Sequence, residues 1–276
     1  MKQLKIKFAL NATYFSRLPS YIQKPYKTIL KIMKLKSFNH LTLAFFAGVF
    51  MLVACSFSSE SRNIQDDDRI SRTFNLKDFD RLSLGSAFEI NVTKGNHSVK
   101  VEGRKQDIDD LEADVNSGRL RIRYKDSNGW GRNRKRVTVT ISMPTLKGLD
   151  LSGATISKVS GFNDLGTLDL DISGASKSEI QVKAQAIIMD MSGASTINLI
   201  GSANRIEGEV SGATSLRAYD FQVKDAFLDV SGASSIKVSV TGKLEVEASG
   251  ASSVRYRGTA SVRSSTSGAS SVKSES

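Results

Sequence analysis

From residue 149 onward, apolar and polar residues alternate with period two, and the alternation restarts around a recurrent Ser-Gly-Ala triplet. The triplet stands at Ser152-Gly153-Ala154, Ser173-Gly174-Ala175, Ser192-Gly193-Ala194, Ser211-Gly212-Ala213, Ser231-Gly232-Ala233, Ser249-Gly250-Ala251 and Ser267-Gly268-Ala269, at intervals of 21, 19, 19, 20, 18 and 18 residues. Counted from each Ser as zero, positions −3 and −1 are mostly apolar: Leu149 and Leu151, Leu170 and Ile172, Met189 and Met191, Leu228 and Val230, Val246 and Ala248. Positions +5 and +7 continue the pattern with Ile197 and Leu199, Leu216 and Ala218, Ile236 and Val238, Val254 and Tyr256. Period two on both sides predicts two short strands per repeat with the triplet between them; helical spacing is not sustained. Gly at +1 suits a bend or a close backbone approach, where a Cβ would clash. Ala at +2 keeps the corner narrow. Ser or Thr at +3 (Thr155, Ser176, Ser195, Thr214, Ser234, Ser252, Ser270) predicts a ladder of hydroxyls. Repeats of this length cannot bury an apolar face singly, so the fold predicted is an all-β solenoid, a single-stranded β-helix. Rungs about 4.8 Å apart would give a rod of roughly 30 Å.

The preceding segment, residues 73–148, lacks the triplet period and still reads as β. Arg81-Leu82-Ser83-Leu84, Phe88-Glu89-Ile90-Asn91-Val92, Val99-Lys100-Val101, Leu120-Arg121-Ile122-Arg123-Tyr124 and Val137-Thr138-Val139-Thr140-Ile141 alternate or are β-branched. Gly85-Ser86-Ala87 looks like a degenerate copy of the corner. Residues 107–115 predict a short helix, with Ile108, Leu111 and Val115 at helical spacing. A β-module here would cap the open end of the solenoid of residues 149–276, since an uncovered end is an exposed strand edge.

Phe88-Glu89-Ile90-Asn91-Val92, the Gly118-Arg119-Leu120 turn, Met143-Pro144-Thr145-Leu146 and the Leu151-Ser152-Gly153-Ala154 repeats together resemble the bacterial head GIN domain family of auto-transporter adhesins. The likeness covers roughly residues 74–276 and is most specific in the repeats. It implies a β-helical domain on a secreted or lipid-anchored envelope protein, and it brings no catalytic residues with it.

The front of the chain changes how charge is read. Residues 1–54 hold nine Lys/Arg and no acid, so of the 39 basic and 28 acidic residues, 30 and 28 remain beyond them, and the formal charge falls from +11 to about +2. That removes the case for nucleic-acid binding. Met33-Lys34-Leu35-Lys36 followed by the apolar run 41–53 reads as a signal peptide too short to span a membrane. It ends in Leu52-Val53-Ala54-Cys55, which resembles the lipobox of bacterial lipoproteins. Cys55 is the one cysteine in the chain, so lipidation fits and an intramolecular disulfide is excluded. A buried cysteine in an uncleaved anchor is the alternative. Residues 1–32 precede a signal that is complete without them, and 55–72 read as a polar tether. Ser56 after the cysteine resembles the outer-membrane sorting pattern, without saying which side of the membrane the domain faces.

Chemistry is sparsely supplied. His97 alone makes neither a triad nor a metal cluster, no phosphate-loop or dinucleotide motif occurs, and the expectation is a protein that is not an enzyme and carries no cofactor. Two features stand out. Position −2 is acidic in six consecutive repeats: Asp150, Asp171, Asp190, Glu209, Asp229 and Glu247. Like charges at rung spacing repel by roughly 1 kcal/mol even in water, so the column is either a solubilising, edge-protecting face or a site for bridging cations or a basic partner. Position +6 is often basic (Lys158, Arg217, Lys237, Arg255, Lys273) but belongs to the next strand. The second feature is the loop 125–136, which holds Trp130 beside Arg132, Arg134, Lys135 and Arg136. It reads as a solvated hairpin or as a contact for anionic glycans, lipid headgroups or nucleic acid.

These features together predict a lipid-anchored envelope protein, outer-membrane in the sorting pattern, that binds a glycan or cell-surface partner without catalysis. A periplasm-facing scaffold or sensor, a homo-oligomer, and a polysaccharide-acting β-helix enzyme are the alternatives left open.

Overall fold

The computed structural model describes residues 68–125 and 133–275, which lie in one compact unit, Asp66–Ser276. Cys55 and its signal, Trp130 and Arg132 fall outside the described residues.

The glycine of each triplet turns the chain with a positive φ, from 69° at Gly268 to 77° at Gly153 and Gly212. A Cβ there has no room: at Gly193 it would stand 2.4 Å from the carbonyl oxygen of Gly174, one rung away. That oxygen accepts a hydrogen bond of 2.7 Å from the backbone N–H of Ala194, and the same link repeats along the stack, as from Ala213 to Gly193 at 2.8 Å. Conformation and space both demand glycine at +1. Ala at +2 is exposed at every corner, so its small size serves the outside of the corner and not its interior.

Between corners the chain runs extended in β9 (Ile156–Ile172), β10 (Lys177–Met191), β11 (Thr196–Val210), β12 (Ser215–Val230) and β13 (Ser235–Ala248), followed by β14 (Ser253–Arg257), β15 (Ser261–Thr266) and β16 (Ser271–Ser274). All these strands pair in parallel. The fold is the predicted β-solenoid. Each triplet does separate two extended arms, and the far end of each coil bends through register shifts, such as those between Ala218 and Gln222 and between Val223 and Asp225.

The unequal repeat lengths have a physical cause. In the 18-residue rung the inward positions advance strictly by two: Ser234, Ile236, Val238, Val240, Gly242, Leu244, Val246 and Ala248. The 21-residue rung also has eight, Thr155, Ser157, Val159, Phe162, Leu165, Leu168, Leu170 and Ile172, and three of its steps are of three residues. The 19-residue rungs contain one such step, Ala184 to Ile187 and Ala203 to Ile206, and the 20-residue rung contains two, Ala218 to Phe221 and Val223 to Ala226. Each inserted residue is thus a bulge that leaves the next inward side chain pointing inward. The core stays continuous while the outer bend changes shape.

Position +3 is buried from Thr155 to Ser252. Its hydroxyls form the predicted ladder only in part: Thr155 donates to Ser176 at 2.9 Å, and Thr214 and Ser234 lie 3.1 Å apart. Otherwise they close their own corner, each donating to the carbonyl three residues back, as Ser176 does to Ser173 at 2.9 Å and Ser252 to Ser249 at 2.9 Å. Either partner satisfies a buried hydroxyl.

Upstream, β1 (Arg69–Phe74), β2 (Arg81–Leu84), β3 (Glu89–Lys94), β4 (Ser98–Arg104), β5 (Leu111–Asn116), β6 (Arg119–Tyr124), β7 (Thr138–Met143) and β8 (Gly148–Leu151) share the same core. β2 and β3 form a further rung. Leu82 and Leu84 stand beside Leu149 and Leu151, and Glu89 beside Ile156. Gly85-Ser86-Ala87 is its corner, with Ser86 in the glycine's place at φ 77°. β6 and β7 stack beneath it, and the sequence between them carries no triplet. Antiparallel pairing then ends the stack, β5 on β6, β4 on β7 and β1 on β4. The cap is therefore continuous with the solenoid rather than a separate body at 148/149. Strand β1 also begins at Arg69, inside the stretch read as tether, because its alternating residues find a partner in β4.

The helix expected over 107–115 is shorter and earlier: α1 covers Lys105–Asp109. Leu111, Ala113 and Val115 lie in β5. Those residues also alternate with period two, and the open edge of β6 selects the strand. His97 is half-buried, with Nε2 2.9 Å from the Phe79 carbonyl and its ring edge-on to Phe79. At the other end the core becomes polar. Val246, Ala248 and Tyr256 are followed one rung later by Ser264, Thr266 and Ser274, as suits a terminal rung facing water.

Candidate functional site

The acidic column is real in space. Pairing places Asp150 beside Asp171, Asp171 beside Asp190, Asp190 beside Glu209, Glu209 beside Asp229 and Asp229 beside Glu247. All are exposed except Asp150, which is half-buried. Position −2 points outward because −3 and −1 point in, and straight register is kept because no bulge falls in this arm.

Positive charge reaches the column at its Asp150 end, and further cations on the same side of the rungs pair with the acids two residues before it. Arg119 lies 3.6 Å from Asp150, whose Oδ2 also accepts from the Ser83 hydroxyl at 2.8 Å. Arg81 meets Asp169 at 2.8 Å. Further along, Arg205 pairs with Glu207 and stacks its guanidinium 4.0 Å above the Phe227 ring. Lys243 pairs with Glu245 at 2.9 Å and reaches within 5.4 Å of the same ring. Arg81, Arg119, Arg205, Glu207, Phe227 and Glu245 line an open groove of about 730 Å³ along the acidic column. Position +6, the sequence's apparent source of compensation, lies on the other arm of each rung.

Burial pushes the Asp171 carboxyl above its ordinary pKa, and the neighbouring Asp150 and Asp190 charges add to the effect against the opposing pull of Arg119. Among the described residues, no three His, Cys, Asp or Glu side chains come together as a metal would require. The register explains this: a straight column spreads its carboxylates along the rod instead of gathering them around a point.

The basic loop does not present its residues equally. Arg134 is largely consumed: its guanidinium lies 4.0 Å over the Tyr124 ring and donates to Asp110 at 2.6 Å. Asp107, 3% exposed, anchors the returning chain. It accepts from Arg104 at 2.7 and 3.2 Å and from the Lys135 backbone N–H at 3.2 Å. Burial, followed by the Asp107 charge, pushes the Tyr124 hydroxyl up to about 12. Lys135 and Arg136 are exposed. The stretch is thus bound to the cap by its downstream arm, with Arg134 acting as a strut. The sequence held one signal for this, the acids of 107–110 opposite the basic run.

The groove's Phe227 and Arg205, with Lys243 beside the same ring, were missed by sequence reasoning. Phe227 stands at position −4 and Arg205 and Lys243 at −6, positions whose residue types vary from repeat to repeat, and only the register brings them beside one another.

A sequence-family match to "Putative auto-transporter adhesin, head GIN domain" spans residues 78–260, more than half of the chain. The chain belongs to this family. No curated protein matches it. Among solved structures, it is similar to a putative adhesin from Bacteroides fragilis, with 20% identity and a TM-score of 0.65 over 75% of this chain and 97% of that one. A putative adhesin from Parabacteroides merdae has 17% identity and a TM-score of 0.61 over 76% and 97%. A putative lipid binding protein from Parabacteroides distasonis has 18% identity and a TM-score of 0.53 over 76% and 97%. At these identities the likeness establishes the head GIN solenoid as a shared fold. Among the described residues, no helix is long and apolar enough to cross a membrane.

Proposed function

We propose that this head GIN domain is the non-catalytic binding part of a lipid-anchored envelope protein of the adhesin type, held to the outer membrane through Cys55. The observation that carries the reading is the unbroken register of outward side chains, which repeats the same contact once per rung on a rigid support. Such a surface suits a polymer or a cell surface, where weak contacts add through high local concentration. The sorting residue Ser56 and the family's adhesin-type relatives support the envelope location.

The test is adhesion by a deletion strain complemented with the wild-type chain, with Cys55→Ala, or with Trp130→Ala. Wild type restores binding to immobilised glycans or cells. Cys55→Ala releases the protein from the membrane fraction and abolishes adhesion, and Trp130→Ala weakens adhesion at equal surface level. Full adhesion by the deletion strain contradicts the reading.

A further inference from the structure

The other arm of the rungs carries a column of the opposite sign. Strand pairing places Arg217 beside Lys237, Lys237 beside Arg255 and Arg255 beside Lys273. Four cations thus stand in single file at strand spacing, about 4.8 Å apart. Arg217, Arg255 and Lys273 are exposed and Lys237 is half-buried. None of the four enters an ion pair among the described residues, whereas Lys158, on the same column nearer the cap, is paired with Glu179 at 3.2 Å. An acid beside the file is Glu275, whose carboxylate accepts from the Tyr219 hydroxyl and is held below its ordinary pKa chiefly by that bond, with the Lys237, Arg255 and Arg257 charges adding to the effect.

Two further features make the file more than scattered surface charge. Lys237 Nζ lies 5.6 Å and the Arg257 guanidinium 4.1 Å from the centre of the Tyr219 ring, so the ring holds cations in place beside the column. Two residues before each cation of the file, and therefore on the same outward side, Ser215, Ser235, Ser253 and Ser271 form an in-register row of half-buried hydroxyls that Thr196 continues by one rung. A row of hydroxyl groups thus runs parallel to a row of positive charges.

We propose that this arm is a binding track for a linear acidic polysaccharide, carboxylated or sulfated, lying along the rod axis. The inference rests on reading the protein as a glycan-binding envelope module, and it names the site and the ligand chemistry. Acid groups on the polymer pair with Arg217, Lys237, Arg255 and Lys273, and sugar hydroxyls meet the Ser/Thr row. Charge complementarity selects a polyanion, and the acidic column on the other arm directs it to this side. A single file of four cations fits a thin chain better than the broad plane of a membrane. Tyr219, covered by Lys237 and Arg257, is not free to stack nucleic-acid bases, which single-stranded nucleic acid would use.

The experiment measures binding of the full-length protein, purified in detergent micelles, to immobilised heparin, polygalacturonate and neutral dextran. Binding is expected to the two polyanions and not to dextran, and to weaken with salt. Lys237→Gln with Arg255→Gln is expected to lower affinity about tenfold or more, while Lys158→Gln, outside the unpaired file, leaves it unchanged. Both variants are checked for wild-type melting. Should the double variant melt early, Arg217→Gln with Lys273→Gln gives the same reading. Three results overturn the proposal: no polyanion binding, equal binding by the track variants, or equal affinity for duplex DNA or anionic vesicles. Salt-sensitive self-association abolished by the double variant, without polyanion binding, assigns the track to a second copy and also overturns it. If polyanion binding fails while the complemented strain still adheres, only this inference falls. If both fail, the wider reading falls with it.

Discussion

Replacing Gly212 by Ala adds one methyl group at the centre of the stack. The new Cβ would lie 2.4 Å from the Gly193 carbonyl oxygen and 3.0 Å from its nitrogen, at a φ of 77°. The left-handed conformation alone costs an L-residue about 1–2 kcal/mol. Relieving the contact means moving backbone against backbone, and this strains the 2.8 Å hydrogen bond from Ala213 to that same carbonyl. Loss of that bond adds about 1 kcal/mol, and overpacking about 1–3 kcal/mol. The sum is about 3–6 kcal/mol, a large part of the stability of an ordinary domain. Urea unfolding of Gly212→Ala, followed by circular dichroism, measures it. Gly166→Ala is the control, because a Cβ there meets nothing within 4 Å, and it is expected to change stability by less than about 1 kcal/mol. A loss at Gly212 no larger than at Gly166 would refute the stacked-corner reasoning.

Other perturbations separate the remaining parts of the argument. Ser86 holds the same positive φ, 77°, so Ser86→Gly should stabilise by about 1 kcal/mol, seen as a higher urea midpoint. Asp107→Ala leaves Arg104 without its buried partner and should cost about 3–5 kcal/mol, with faster amide exchange at Lys135; normal protection there would contradict the anchoring role of Asp107. For Asp171 the folded pKa is raised, so the folded state binds the proton more tightly and stability falls as pH rises through that pKa. Asp171→Asn should therefore stabilise near neutral pH, by less than about 1 kcal/mol for an exposed group. That gain should vanish below the ordinary carboxylate range, and denaturation at both pH values checks the sign. Ser234→Ala removes a buried hydroxyl that donates to the Ser231 carbonyl at 2.8 Å and should cost about 1 kcal/mol.

Much of this architecture is legible in the chain because its determinants are local and repeated. Alternation at −3, −1, +5 and +7 specifies which side chains point inward, and the glycine at +1 marks the corner without reference to any distant residue. The acidic column follows from the same register. Features that depend on pairing partners are not legible in this way. Leu111 and Val115 satisfy both helical and strand periods, and β6, distant in neither sequence nor space, decides between them. Position +6 offered the acidic column an apparent counter-charge, and only the bend of the coil shows that it faces another way. The irregular intervals take their meaning from the inward positions, between which each extra residue is a bulge. Arg134 resembles its basic neighbours in sequence, yet Tyr124 and Asp110 claim it. At position −4, Phe227 acquires meaning through Arg205 and Lys243, which arrive from different rungs.

The most direct test of a surface-binding rod is protease shaving of intact cells, read with an antibody to the C-terminal repeats and with a periplasmic protein as control. The adhesin reading predicts loss of the repeat signal from unbroken cells while the periplasmic control survives. Protection of the repeats until the cells are lysed, in step with the periplasmic control, would turn the domain inward and contradict that reading.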